Sequence, residues 1–200
     1  MIFNLNDNTI NDKYKLMAQT IIPRPIAWVV TEDDGVINIA PFSYFIGLSS
    51  DPASVLISVG HKSDGTPKDT LANIRKTKKC TICMVDEKNL EMMHFSSKEL
   101  DKNLSEAEIF SIKTDKLFDE YPPMIKDVSV SYFCEFNQEI DLGGGSTIPI
   151  VLNVKQIFVK DEAITDKQRI TIEFNPVARI GKSYAFLGDD INPPKIPQEI

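Results

Sequence analysis

From residue 26 to residue 60 the chain alternates apolar, β-type runs with short polar turns, and this alternation limits the possible folds more than any other feature. IAWVVT (26–31) is followed by the turn EDDG (32–35), then VINIAPFSYF (36–45), the turn SSDP and SVLISV (54–59). Runs of β-branched and aromatic residues joined so briefly can pair only as antiparallel neighbours, since a parallel pair needs a long crossover. CTICMV (80–85) reads as one more strand, and the pattern returns in VSVSYFCEFNQEI (128–140), the turn DLGGGST and IPIVLNVKQIFVKDEAI (148–164). KDTLANIRKT (68–77) has Leu71, Ile74 and Arg75 at helical spacing, with Asp69 in place to cap it. EKNLEMMHFSSKEL and KNLSEAEIF have helical spacing and few β-branched residues, so they read as two short helices inserted between strands. Hairpins with inserted helices and no regular βαβ alternation predict a mainly β fold: an antiparallel sheet closing into a barrel with helical decoration. The same pattern argues against a dinucleotide-binding Rossmann sheet, and the absence of any GxGxxG after a strand agrees, since Gly60 and Gly65 have the wrong spacing.

The chain has 200 residues, 42% hydrophobic and 26% charged, with Pro and Gly spread throughout, which predicts one domain over residues 1–200 with a full core. A net charge of −7 argues against nucleic acid or an anionic membrane as general partner, since both reward a basic surface. Cys80 and Cys83 are formally a CxxC pair, but on a strand they point to opposite faces. With Cys134 they read as reduced core thiols, and no metal site is expected. The start, MIFNLNDNTINDKYKLM, lacks the apolar core of a signal peptide, and no run long enough to span a membrane follows, so a cytoplasmic location is expected.

Side chains for acid–base or nucleophilic catalysis are not arranged in any familiar pattern. His61 and His94 are the only histidines, and neither GxSxG nor HExxH occurs. His94, in MMHF on a probable helix, reads as structural, and Gly143–Gly145 as a flexible hairpin connection with no helix after it. Small polar residues at strand ends remain: Thr31, Asn38, Ser43 and Ser58. The connection SVGHKSDGTPKDTLANI (58–74) leads into a helix start, where free backbone N–H groups and the dipole favour an anion. Lys68, Asp69 and Thr70 there would form a cradle for phosphate, and Trp28, Pro41, Phe42 and Tyr44 would offer flat surface to a planar ring beside it. A cofactor with a phosphate tail and an aromatic head fits that set.

The same residues carry a resemblance. PRPIAWVVTEDDGVINIAPFSYFIGLSSDP (23–52), SVG (58–60), DG (64–65), KDTLANI (68–74) and VARIGKSYAFLG (177–188) occur in collinear order and closely resemble the flavin reductase-like family. This is the FMN-binding split-barrel group that includes flavoredoxins and the reductase components of two-component monooxygenases. The resemblance implies a six-stranded Greek-key split barrel, homodimeric, with one non-covalent FMN per subunit near the dimer interface. On matching positions, Thr31, Asn38, Ala40, Pro41, Phe42 and Ser43 would line the isoalloxazine and ribityl chain. Ser58, Gly60, Lys68, Asp69 and Thr70 would hold the ribityl chain and phosphate, and Arg179 would come in from the late segment. Departures are Gly181-Lys182, where the family often has two glycines, and NPPKIP (192–197) in place of a terminal Arg-Pro.

Flavin reduction needs no proton-shuttling side chain, because the cofactor carries the chemistry. The expected function is therefore hydride transfer from NADH or NADPH to bound FMN, with a monooxygenase as a possible recipient partner. The alternative is a flavoredoxin-type carrier whose FMN is reduced by a ferredoxin-like protein.

Overall fold

The computed structural model describes residues 1–145, 147–194 and 196, so Lys195 and Pro197 of the NPPKIP run and Ser146 of the DLGGGST turn lie outside the described residues. In chain order the main elements are α1 (Ile10–Thr20), β1 (Ala27–Asp33), β2 (Val36–Phe42), β3 (Phe45–Ser50), β4 (Ala53–Gly60) and α2 (Asp69–Thr77). β5 (Lys79–Met84), α3 (Leu90–Phe95), α4 (Glu106–Ile109), β6 (Val130–Glu139), β7 (Thr147–Val159), β8 (Ala178–Ile180) and β9 (Ser183–Ala185) complete the set.

Seven strands form one antiparallel sheet in the order β2-β1-β5-β6-β7-β4-β3. It curls so that side chains from six strands enclose one cluster: Ala27 and Val29, Phe42, Ile57 and Val59, Cys80 and Ile82, Cys134, and Ile150 and Leu152. Leu71 and Ile74 of α2, both 0% exposed, join this barrel core and fix the helix against it. Burying each contributes about 2 kcal/mol. The outer face of β1, β5 and β6 is covered in turn, with Trp28, Val30, Cys83 and Phe133 packing against Met93, Tyr121, Ile125 and Val128 of the 87–128 insertion. A strand covered on both faces cannot alternate apolar with polar, and Ala27–Thr31 is buried at every position. This is the antiparallel split barrel that the sequence predicts, with seven strands in the sheet where the resemblance implied six, and with the inserted helices as its second layer.

The β1–β2 hairpin closes on Asp34-Gly35, both at positive φ, between the paired residues Asp33 and Val36. Such a two-residue loop matches the twist of the strands it joins. Cys80 and Cys83 do point to opposite faces, one in each core cluster, and all three cysteines are free and buried. Burial pushes the Cys83 thiol up to about 11, which keeps it protonated and inert.

Two expectations are corrected, and one element is new. The run 36–45 is not one strand: it breaks after Phe42, and β3 follows from Phe45 to Ser50, pairing back on β4 through the Asp51–Pro52 turn. β3 was invisible as a strand because its outer residues stay exposed, Ile46 at 61% and Leu48 at 52%. Asp69 does not cap α2; Lys68 occupies the cap position and no side chain bonds the helix start. An N-terminal helix, α1, was not anticipated, although Thr9 and Asp12 supply its start: Asp12 N–H donates to Thr9 Oγ1 at 3.2 Å. Only Ala18 of α1 is buried, so its apolar pattern is weak.

Candidate functional site

The first part of the site is built where α2 meets the β1–β2 hairpin. Thr31 and Asn38 are cross-strand partners, and their side chains meet α2 below its first turn. Asn38 Nδ2 donates to Thr31 Oγ1 at 3.1 Å and to Thr70 Oγ1 at 3.0 Å, while Asn73 Nδ2 donates to Thr31 Oγ1 at 3.1 Å. All four residues are buried. A buried network that satisfies its members holds one geometry, because any slip leaves an unpaired polar group. The helix start is thereby fixed to the sheet.

At that start, backbone N–H groups carry no side-chain cap. Lys62 Nζ lies 2.9 Å from Asp69 Oδ2 and 3.1 Å from Oδ1, with both side chains under one-fifth exposed. The bond to Asp69 holds the Lys62 ammonium above its ordinary pKa, so it stays charged at neutral pH. Asp69 would repel an anion on its own, and Lys62 offsets it. Lys68, half-buried, adds a second cation. Sequence reasoning named Lys68 and Asp69 but not Lys62, whose pairing across seven residues depends on how the loop folds back: Lys62 N–H bonds the Thr66 carbonyl at 2.8 Å.

β2 leads away from this clamp. From Asn38 to Phe42 it covers four residue steps, about 13 Å of extended chain, and Ser43 follows directly. Its outer edge is blunted: Glu106 Oε2 accepts from Ile39 N–H at 2.9 Å, Ser105 Oγ donates to the Ile37 carbonyl at 2.6 Å, and Pro41 has no N–H to offer. Burial holds the Glu106 carboxyl above its ordinary pKa, against the bond from Ile39. Glu106 was not singled out by sequence, because its contact spans 67 residues.

Beyond Pro41 the strand opens on a cavity of about 210 Å³ lined by Pro41, Phe42, Ser43, His94, Arg179 and Tyr184 among others. Arg179 is brought there by β8, which pairs with Arg24 and Pro25 ahead of β1. Its guanidinium lies 4.7 Å from the Tyr184 ring centroid, and the Tyr184 hydroxyl is 2.9 Å from His94 Nδ1. His94 thus stands at the cavity and not merely on a helix surface. Ser58 N–H donates to the Tyr44 carbonyl at 2.9 Å, and Ser58, Ser43 and Tyr44 line a larger apolar cavity of about 720 Å³ with exposed Ile46 and Ile157 at its rim.

Of the sequence-derived set, Thr31, Asn38 and Thr70 converge as the buried network. Lys68 and Asp69 stand at the α2 start, and Pro41, Phe42, Ser43 and Arg179 share one cavity. Ala40 lies on β2 between these two regions, half-buried, and Gly60 ends β4 opposite Thr147. Trp28 does not belong with them. It is 0% exposed and donates its indole N–H to Ser96 at 2.9 Å, so it packs the outer core and offers no surface to a ligand. Among the described residues no group of three His, Cys, Asp or Glu could hold a metal, and no helix is long and apolar enough to cross a membrane.

An antiparallel split barrel with an uncapped, cation-flanked helix start at one end of a strand and an aromatic-lined cavity at the other defines a class of small-molecule-binding barrels. Within it, residues 17–172 match the family described as Flavin reductase like domain, and the chain belongs to that family. Similar solved structures include nitrilotriacetate monooxygenase component B from Bacillus cereus, 28% identical, TM-score 0.89, covering 96% of this chain and 98% of that one. The 2-nitrobenzoate 2-nitroreductase NbaA of Pseudomonas fluorescens is 26% identical, TM-score 0.87, covering 99% and 97%. A chain from Shewanella frigidimarina described as having a split barrel domain is 20% identical with a TM-score of 0.81, covering 98% and 100%, and supports the fold alone.

Proposed function

We propose that this protein is an FMN-dependent oxidoreductase that takes a hydride from NADH or NADPH and passes the electrons to an acceptor, acting in the cytoplasm as a homodimer. The observation that carries this reading is the pairing of an anion-ready helix start with a strand that ends in an aromatic-lined cavity. The residues fit FMN: the α2 amides with Lys62 and Lys68 would receive its phosphate, while Thr70, 1% exposed and bonded by Asn38, would anchor the helix start from beneath. Ser58 and Gly60, with Asn38 to Ser43, would follow the ribityl chain, and Phe42, Ser43 and Arg179 would border the ring. Bound FMN would supply the electron-accepting centre, which accounts for the missing acid–base set.

This chain's own contribution is positioning. Thr31, Asn38, Thr70 and Asn73 hold the clamp rigid, and the blunted β2 edge keeps that face from pairing with another strand. The likeness to a monooxygenase component supports a monooxygenase as recipient. The homodimer is supported by exposed apolar residues: Ile46 and Ile157 at the apolar cavity of about 720 Å³, and Leu48 further along β3.

The test is an anaerobic absorption spectrum of the protein loaded with FMN, before and after addition of each nicotinamide nucleotide. Bleaching within seconds is expected. A protein that takes up no FMN overturns the flavin reading, and bound FMN that neither nucleotide bleaches moves the assignment to a carrier reduced by a ferredoxin-like protein.

A further inference from the structure

A third cavity, of about 1020 Å³, lies between α1 and the β8–β9 hairpin and shares Tyr14 and Arg179 with the aromatic-lined one. The two are therefore neighbours across those side chains. Its charged lining is one-signed: Lys15, Arg179 and Lys182, with Gln19 and Ser183 as neutral polar groups and no carboxylate among the lining residues described. That is unexpected on a chain with 29 acidic residues against 22 basic ones. Lys182 is placed by the hairpin turn. Ile180 pairs with Ser183, Gly181 takes a positive φ of 50°, and Lys182 is left exposed at the tip facing α1.

None of the three cations is strongly neutralised. Lys15 bonds Asp12 at 3.2 Å in an exposed pair, which solvent weakens. Arg179 spends its Nε on the Gly181 carbonyl at 3.1 Å and faces the Tyr184 ring, and Lys182 has no ion-pair partner among the described residues. The aromatic pocket bordered by Phe42 and Tyr184 thus adjoins, across Tyr14 and Arg179, a groove with three positive charges.

We infer that this groove holds the phosphates of the nicotinamide donor, and that the donor is NADPH in preference to NADH. The inference rests on the flavin reading for the position of the nicotinamide ring, which would enter the pocket at Phe42 and Ser43. The 2′-phosphate adds about two negative charges to the two of the pyrophosphate, so three cations discriminate in its favour. No nucleotide fingerprint appears in the sequence because the cations come from a helix and a hairpin 164 residues apart at Lys15 and Arg179.

The probe is 2′,5′-ADP, with 5′-AMP as the comparison, titrated calorimetrically into the FMN-loaded protein and into Lys182→Glu. Lys182 sits at an exposed hairpin tip, so the variant keeps the fold. The expected result is tighter binding of 2′,5′-ADP than of 5′-AMP and a loss of about tenfold in 2′,5′-ADP affinity on reversing one charge. The NADPH KM should rise in parallel in Lys182→Glu while kcat holds, and FMN affinity should not move. Protein that retains FMN but does not distinguish the two nucleotides, or whose 2′,5′-ADP affinity is unchanged in Lys182→Glu, overturns the inference. Protein that binds 2′,5′-ADP but takes up no FMN upholds the groove and overturns the flavin reading.

Discussion

Replacing Thr31 with Val tests whether the buried amide–hydroxyl network is what fixes α2 to the barrel. Thr31 is 0% exposed, and its Oγ1 accepts from both Asn38 and Asn73 at 3.1 Å. Valine has nearly the same shape but no acceptor, so two buried N–H groups lose their partner. Each orphaned donor costs about 1–3 kcal/mol, and the methyl group gained offsets about 1, leaving a net loss of about 1–5 kcal/mol. Thr31→Ser is the control, since it keeps the acceptor and removes only a buried methyl, for about 1 kcal/mol. With a urea dependence of about 2 kcal/mol per molar, the unfolding midpoint should fall by about 0.5–2.5 M in Thr31→Val, centred near 1.5 M, and by about 0.5 M in Thr31→Ser. FMN uptake should weaken in the valine variant, because the helix start that would receive the phosphate is no longer pinned. If the valine midpoint lies at or above the serine midpoint, the hydrogen bonds do not carry the attachment and the reasoning fails.

Glu106 gives a prediction in pH. Burial raises its carboxyl above the ordinary value of 4.5, so the folded state binds the proton more tightly than the unfolded state does. Stability from this group is therefore greatest below about pH 4.5, falls as pH rises through the folded-state value, and is level above it. Glu106→Gln, which keeps an acceptor for Ile39 N–H, should flatten that fall in urea unfolding curves taken from pH 4 to 8. Glu106→Ala should lose about 1–3 kcal/mol by orphaning the same N–H, and equal pH slopes in Gln and wild type would refute the assignment. For the homodimer, Ile46→Asp on exposed β3 should shift sedimentation from dimer to monomer, because an interface core does not tolerate an unpaired carboxylate. A wild-type monomer, or an unchanged dimer, would remove β3 from the interface.

The legible part of the fold was the part written in short-range pattern. Asp34-Gly35 declared its hairpin because a two-residue loop needs positive φ, and Leu71 and Ile74 declared the buried face of α2 through helical spacing. β3 escaped because Ile46 and Leu48 stay exposed and only Phe45 of its apolar residues packs on the core, and Trp28 misled because a large aromatic beside a candidate site looks the same in sequence whether it faces a ligand or the core. Of the site, the ordered segments named Thr31, Asn38, Lys68, Asp69 and Thr70, yet not their division of labour. Thr31, Asn38 and Thr70 spend their side chains on one another, a buried arrangement set by register.

The sequence by itself determined what depends on neighbours along the chain: the antiparallel strands, the helix at 69–77, the anion-ready connection before it and the family. Tertiary structure alone decided what depends on closure of the barrel. It set Lys62 against Asp69, brought Glu106 to the β2 edge, and carried Arg179 and Tyr184 to the cavity at Phe42 beside His94. The Tyr184–His94 hydrogen bond alone joins residues 90 positions apart. No local propensity encodes such a meeting, because its geometry exists only once the sheet has curled and both of its faces are covered.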